Sequence, residues 1–349
     1  MKRVIIVDNQ VPFVYGGAEY HINNLKRAIR ENGYQVDVVR IPFKWYPIEN
    51  IPKHILINRL IDLIEANGRP VDVLIAFRFP SYYIEHPNKV VWLMSTYKSA
   101  YEFWNKEFCD LPITVEGRKV KQIIHACDRE YLSQVRKLYT NSKHVASWFE
   151  EQTGIKGVPL YHPPPDYDKF HFKDYENFLF FPSRLTPYKR HKIAIEAMKY
   201  VDRGLKLLIT GESDNPDYLK ELQSFAESLG LSDKVIFLGR VERETILDLY
   251  SRCLAVIFPT YKEDYGYITL EGMLSKKPVI TCKDSGGPTE FVTNEVTGII
   301  CEPEAKSLAD AINRLYKDKA LAMKLGENAK NYVQSLSLSW DYVVERLLE

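Results

Sequence analysis

What this chain lacks narrows its class before any motif is considered. No apolar run approaches the ~20 residues that span a bilayer, and "MKRVIIVDNQ" offers four consecutive apolar residues before Asp8. The amino terminus therefore predicts a first strand rather than a signal peptide. Cysteine is scarce and odd in number: Cys109, Cys127, Cys253, Cys282 and Cys301 show no C-x-x-C spacing. Most lie in apolar runs, which favours buried thiols in a reducing compartment, the cytoplasm, over a disulfide framework or a zinc site. Net charge is nearly absent as well, +1 over 349 residues, and argues against nucleic acid as the main partner. There is no G-x-G-x-x-G after the first apolar run, and "QVDVVRI" ends without the acid that binds a ribose in dinucleotide folds. Both absences weigh against a nicotinamide or flavin cofactor.

The chain is too long for one growing hydrophobic core, so two domains are expected. Its small net charge is unevenly divided, +5 for residues 1–165 and −4 for residues 166–349. A basic first half leaves an anionic membrane surface, at its cytoplasmic face, open as a peripheral contact. The first half alternates the runs "RVIIVD", "QVDVVRI", "VDVLIAF" and "KVVWLMS" with helical patterns at 18–32 and 51–67, then helices near 116–136 and 142–153. Near-continuous Val/Ile/Leu runs between amphipathic segments imply parallel strands covered on both faces. The helix at 51–67 has flanking cations, and reads as domain core rather than membrane anchor. Three consecutive prolines, Pro163 to Pro165, can join neither a helix nor a central strand and mark a connector. Beyond it the alternation restarts with "NFLFFPS", "LKLLITG", "KVIFLG", "CLAVIFP" and "PVITC", separated by helices near 189–200, 216–229 and 242–251. The fold expected is α/β: two tandem doubly wound, Rossmann-like domains, 1–165 and 166–335, with ligands in an interdomain cleft at the carboxyl ends of the strands. Residues 336–349 form a last amphipathic helix, led by Trp340, that can cross back onto the first domain.

Four loops run from an apolar strand into a helix, where unpartnered backbone N–H groups and the helix dipole attract anions. "VPFVYGGAEYH" supplies Gly16, Gly17 and Glu19, which equally suit a tight turn with a capping acid. "PSRLTPYKRHK" places Arg184 directly after a strand and Lys189 at a helix start, the wrong charge for the dipole unless an anion binds there. Arg190, His191 and Lys192 are expected to be a solvated basic turn. "FPTYKEDYGYITLEGM" sets Glu263 on a loop and Glu271 one turn into the following helix, with Tyr265, Gly266, Tyr267 and Ile268 between them. That spacing spreads the two carboxylates along an elongated ligand instead of coupling them. "CKDSGGPTEFV" adds Ser285, Gly286 and Gly287.

In combination, Gly-Gly-x-Glu at 16–19, Arg-Leu-x-Pro-x-Lys at 184–189, Glu-x7-Glu at 263–271 and Gly-Gly at 286–287 resemble the retaining glycosyltransferases of family 4, whose architecture is GT-B. The resemblance is strongest over 178–301. It implies a nucleotide-diphosphate-sugar donor in the second domain and a glycan or lipid-linked saccharide acceptor on the first. Arg184 and Lys189 would neutralise the diphosphate, Glu271 would hold the ribose, and Glu263 would hold sugar hydroxyls. Backbone at Gly266 to Ile268 and at Ser285 to Gly287 would add donors. The base would lie near Gly239, Arg240 and Val241, and Gly16 and Gly17 would close on the donor.

One departure stands out. The family often places a histidine after the strand "KVVWLMS", where this chain has Ser95, Thr96 and Tyr97, an acceptor-side segment; His86 precedes the strand and is expected at the surface. Trp45, Tyr46, Tyr82, Tyr83, Tyr101 and Trp104 are further candidates to stack on acceptor sugars. "DYD" at 166–168 imitates a metal-binding Asp-x-Asp, but with Arg, Lys and helix amino ends available no metal is expected. The function implied is retaining, metal-independent glycosyl transfer of the kind used in polysaccharide biosynthesis. Two alternatives share the architecture: a sugar-nucleotide-binding subunit that supports a partner transferase, and a non-hydrolysing nucleotide-sugar epimerase.

Overall fold

The computed structural model describes every residue but Asp214. The chain divides into two compact units, one formed by residues 1–165 with 338–349 and the other by 166–337.

In the first unit the elements are β1 (Arg3–Gln10), α1 (Gly17–Glu31), β2 (Gln35–Pro42), α2 (Asn50–Leu60), β3 (Glu65–Ala66), β4 (Arg69–Pro70), β5 (Val73–Arg78), β6 (Lys89–Ser95), α3 (Val115–Leu132), β7 (Lys137–Thr140), α4 (Lys143–Thr153) and β8 (Val158–Pro159). Six of these strands form one parallel sheet in the order β2-β1-β5-β6-β7-β8. Period-two alternation sends Ile5 and Val7 into the core on one face, and Val4 and Ile6 into the core on the other. Both faces being covered explains why these strands read as unbroken apolar runs.

The second unit contains β9 (Phe178–Pro182), α5 (His191–Ala197), β10 (Lys206–Thr210), α6 (Pro216–Ser228), β11 (Val235–Gly239), α7 (Arg243–Arg252), β12 (Ala255–Phe258), α8 (Tyr267–Leu274), β13 (Val279–Cys282), α9 (Pro288–Phe291), β14 (Gly298–Cys301), α10 (Ala305–Lys317) and α11 (Lys319–Ser335). Its sheet is again six-stranded, ordered β11-β10-β9-β12-β13-β14, with parallel pairing throughout. From β9 the chain winds outward one way to β11, then returns to the other side of β9 with β12. The loops after β9 and β12 therefore flank the topological switch point, where open α/β sheets hold ligands.

The last helix, α12 (Trp340–Leu348), belongs to the first unit. Ser339 caps it by accepting from the Asp341 and Tyr342 amides at 3.2 and 3.4 Å. Val343, Val344, Leu347 and Leu348 join Ile22, Leu25 and Ile29 of α1 in one buried cluster. Among the described residues no helix is long and apolar enough to cross a membrane.

Several sequence expectations need correction. The helical pattern at 51–67 ends at Leu60, and Glu65 to Pro70 form a hairpin instead. Asn67 and Gly68 both take positive φ, 54° and 67°, which is the backbone of a two-residue hairpin turn and incompatible with a helix. The helix expected to reach 136 stops at Leu132, and "KLYT" is strand β7; "GIIC" is likewise strand β14. Four-residue runs are too short for periodicity to separate from helix ends, and only their registers with β6 and β13 define them. His86 is buried rather than at the surface: its Nε2 lies 3.1 Å from the Val71 carbonyl and its Nδ1 accepts from the Asn88 amide.

Candidate functional site

The loop after β9 contains Arg184 and ends in a single 3-10 turn, Pro187–Lys189, that leads into α5. Arg184 is exposed, whereas Lys189 is buried. The Lys189 ammonium ion-pairs with Glu263 and sits 5.0 Å from the Phe258 ring. The hydroxyl of Thr260 also donates to Glu263, at 3.3 Å. The strand-end lysine and the outer of the two glutamates are thus brought together across 74 residues of chain.

Arg190 does not belong to a solvated turn. Its guanidinium grips Asp284 through two bonds, 2.6 and 2.7 Å, and lies 4.9 Å from the Tyr261 ring. Burial works against that charge, but Asp284 outweighs it and raises the Arg190 pKa. His191 is likewise interior, stacked on Phe181 with centroids 4.3 Å apart, and its Nε2 lies 3.1 Å from the Ser183 hydroxyl. Burial, with Lys189 nearby, lowers its pKa to about 3, so it is a neutral packing residue. Of the three, Lys192 is the surface residue, paired with Glu221.

The loops after β12 and β13 are joined by their backbones. The amides of Lys262 and Glu263 donate to the carbonyls of Asp284 and Ser285 at 3.0 and 2.9 Å, and the Gly287 amide donates back to Glu263 at 2.7 Å. The Tyr261 amide completes the contact by donating to the Tyr188 carbonyl of the first loop at 2.8 Å. This close approach demands glycine at 287, where a Cβ would lie 2.7 Å from the carbonyl oxygens of both Asp264 and Tyr265. Gly266, the residue before α8, has φ +86°, and a Cβ there would meet Pro288 at 3.0 Å. Ser285 faces inward, its hydroxyl accepting from the Cys282 amide at 3.0 Å. Tyr265 and Tyr267 meet edge to face at 5.5 Å.

Glu271, one turn into α8, is buried and held through both oxygens. Tyr250 donates to one at 2.8 Å and Arg243 to the other at 3.1 Å. Arg243 also donates to Asp166 at 2.9 Å, so the first acid of the "DYD" triplet serves an ion pair, completed by Lys169 at 2.8 Å. Burial raises the Asp166 pKa, and these two cations lower it by more. Neither Arg243 nor Tyr250 stood out in the sequence, because each lies on the α7 face beside a helix contacted only through tertiary structure. Gly239, at the end of β11, has φ +65°, and Arg240 beyond it is an exposed residue 3.8 Å from Glu212. Val241 follows on the same short connection to α7.

At the corresponding switch point of the first sheet, between β1 and β5, an unpredicted arginine organises the glycine turn. Arg78 makes two bonds to Asp8, 2.7 and 2.9 Å, and one of 2.7 Å to Glu19, whose other oxygen accepts from the Gly16 amide at 2.7 Å. Gly16 precedes α1 and Gly17 begins it. Burial raises the Asp8 pKa in spite of Arg78. Past β6, Ser95 donates to the Thr96 carbonyl at 2.8 Å, while the hydroxyls of Thr96 and Tyr97 are buried without a hydrogen-bond partner among the described residues. Three of the candidate acceptor aromatics are otherwise engaged. Tyr82, Tyr83 and Tyr101 all donate to Asp128, at 3.0, 2.6 and 2.7 Å, in the interior.

Two six-stranded parallel sheets, the second with three strand-end loops locked together at its switch point, form the architecture of the GT-B class of glycosyltransferases. Residues 165–332 match the family model of glycosyl transferases group 1. An uncharacterized glycosyltransferase of Methanocaldococcus jannaschii is 26% identical, over 99% of this chain and 96% of its own length. The alpha-1,3/1,6-mannosyltransferase of Dictyostelium discoideum is 37% identical over 124 residues, 36% of this chain and 29% of that protein. Among solved structures, sucrose-phosphate synthase from Thermosynechococcus elongatus superposes with a TM-score of 0.79 at 18% identity, covering 99% of this chain and 97% of that one. Anabaena HepE in complex with UDP-glucose superposes with a TM-score of 0.74 at 18% identity, covering 99% and 98%. The chain has the fold of GT-B glycosyltransferases, and its second unit matches the group 1 glycosyl transferases over nearly its whole length.

Proposed function

We propose that this protein is a retaining glycosyltransferase that moves a sugar from a nucleotide-diphosphate-sugar donor, held by the second unit, to a glycan or lipid-linked saccharide acceptor. The observation that carries the reading is the convergence of Lys189, Glu263 and the Gly286–Gly287 backbone at the switch point between β9 and β12. The UDP-glucose bound by HepE supports the donor class. Arg184 and Lys189 neutralise the departing diphosphate, together with the amino end of α8 at Gly266, Tyr267 and Ile268. Glu271, pre-set by Tyr250 and Arg243, accepts from the ribose diol. Glu263, steered by Lys189, holds sugar hydroxyls, and the base lies along Gly239, Arg240 and Val241. The reading calls on no metal.

In the transfer step the acceptor oxygen bonds to the anomeric carbon on the face from which the diphosphate oxygen leaves, and that oxygen takes the acceptor's proton. Charge on the leaving group is what the site must stabilise. The anomeric configuration of the product, read by NMR, tests the step: retention is expected, and an inverted product overturns it. The alternative of a supporting subunit is favoured by one observation, that the Lys189 charge is already answered by Glu263. Slow hydrolysis of a nucleotide sugar by the purified protein decides for the enzyme, and tight donor binding without turnover in any acceptor mixture decides for the subunit.

A further inference from the structure

The chain leaving β6 and the outer face of α3 line a cavity of about 470 Å³ that is no part of the donor site. Arg118, Lys121, Gln122, His125 and Arg129 line it from α3, at helical spacings that put all five on one stripe, and Trp104 lines it from the preceding loop. No carboxylate lines the cavity. Burial lowers the His125 pKa and keeps its ring neutral, so the like charges at helical spacing are Arg118 and Lys121, three residues apart, a pair that disfavours the helix by a few tenths of a kcal/mol. Arg118 and Arg129 are exposed, and their side chains have no hydrogen-bond or ion-pair partner among the described residues. Lys121 rests 4.5 Å from the Trp104 ring, and burial lowers its pKa. His125 is fixed from behind: its Nε2 bonds the Ala100 carbonyl at 2.8 Å, and its ring stacks at 4.1 Å on Tyr101, which is anchored to Asp128. The result is a concave cationic surface with one aromatic wall and His125 fixed at its floor.

We infer that this cavity binds a phosphate ester carried on a saccharide or on a lipid headgroup, with Arg118 and Lys121 on one phosphate and Arg129 on a second anionic group. Eleven residues of helix separate the two arginines by about 16 Å at 1.5 Å per residue, further than one phosphate reaches, so an extended anion with two charged groups suits the site best. Arginine supplies the planar, bidentate donors that phosphate oxygens match.

The test is calorimetric titration of the full chain with fructose 1,6-bisphosphate, glucose 6-phosphate and glucose, and sedimentation with phosphatidylcholine vesicles with and without phosphatidylglycerol. The Arg118→Gln/Arg129→Gln variant is run in parallel, with its urea midpoint measured to show that it folds. Saturable binding of the bisphosphate, stronger than that of the monophosphate, absent for glucose and weakened at least tenfold in the variant, is expected and identifies a soluble ester as ligand. Binding confined to the phosphatidylglycerol vesicles and lost in the variant identifies the lipid headgroup. Failure of every phosphate-bearing probe to bind, or binding that the folded variant retains unchanged, overturns the inference.

Discussion

Single residues in this protein do their work in pairs that the chain brings together from afar. Arg190 and Asp284 are 94 positions apart and hold the loops after β9 and β13 in one arrangement. Replacing Arg190 by Leu leaves a half-buried carboxylate unanswered, and bonds to charged groups contribute about 1.5–3 kcal/mol each. Arg190→Leu is expected to lower the urea midpoint and to raise the donor KM more than it lowers kcat, since it touches the loop frame and no assigned ligand group. Lys189→Gln is expected to do the reverse, slowing kcat by roughly one to two orders of magnitude through loss of charge opposite the leaving group. At Asp128, burial raises the carboxyl pKa from its ordinary 3.8 to about 6, against the three tyrosine bonds that lower it. The folded state therefore holds this proton more tightly than the unfolded state. The stabilising contribution is full below the ordinary value, is lost as pH rises through about 6, and amounts to about 3 kcal/mol at 1.36 kcal/mol per pKa unit. Asp128→Asn should flatten that part of the stability–pH curve, as followed by urea midpoints between pH 4 and 7.

At the scale of elements, the strand-end loops are rigid because their backbones are bonded to each other, and glycine makes this possible. Gly287→Ala would force a Cβ to 2.7 Å from two carbonyl oxygens, a separation that backbone atoms can relieve only by parting the loops after β12 and β13. Gly266→Ala would hold a Cβ in the left-handed region, at about 1–2 kcal/mol, besides pressing on Pro288. Both variants should melt earlier than the parent. The Gly287 variant should also lose the stabilisation given by a bound nucleotide sugar, whereas a structural cost alone would leave that increment intact.

For the molecule as a whole, the first unit is assembled from both ends of the chain. Val343, Val344 and Leu347 are at most 2% exposed, and each buried aliphatic side chain contributes about 1.5–3 kcal/mol. Removing residues 338–349 uncovers the α1 face, and is expected to destabilise the first unit by several kcal/mol while leaving the second unit's transition near its parent midpoint. Limited proteolysis of the truncated chain checks this by showing early cleavage within 1–165. Conversely, a nucleoside diphosphate at 100 times its Kd should add about 2.7 kcal/mol to the unit that binds it. A thermal shift assigned to the second unit by the same proteolysis supports the donor assignment, and one confined to the first unit contradicts it.

The sequence by itself determined the alternation of strands and helices and the parallel character of both sheets. An apolar run covered on both faces, a proline triplet and a glycine-rich strand end each act through local backbone and solvation physics. It also placed Arg184, Lys189, Glu263 and Glu271 on strand-end loops and helix starts, because an anion-binding helix terminus is a local feature. Only the tertiary structure decided which of these groups meet. That Lys189 answers Glu263, that Arg190 and His191 leave the solvent, that Arg243 and Tyr250 orient Glu271, and that Arg78 fixes the glycine turn all depend on strand order. Ion pairs and hydrogen bonds act over a few ångströms in space, and residues 21 to 94 positions apart reach that range only once the sheet has set their neighbours.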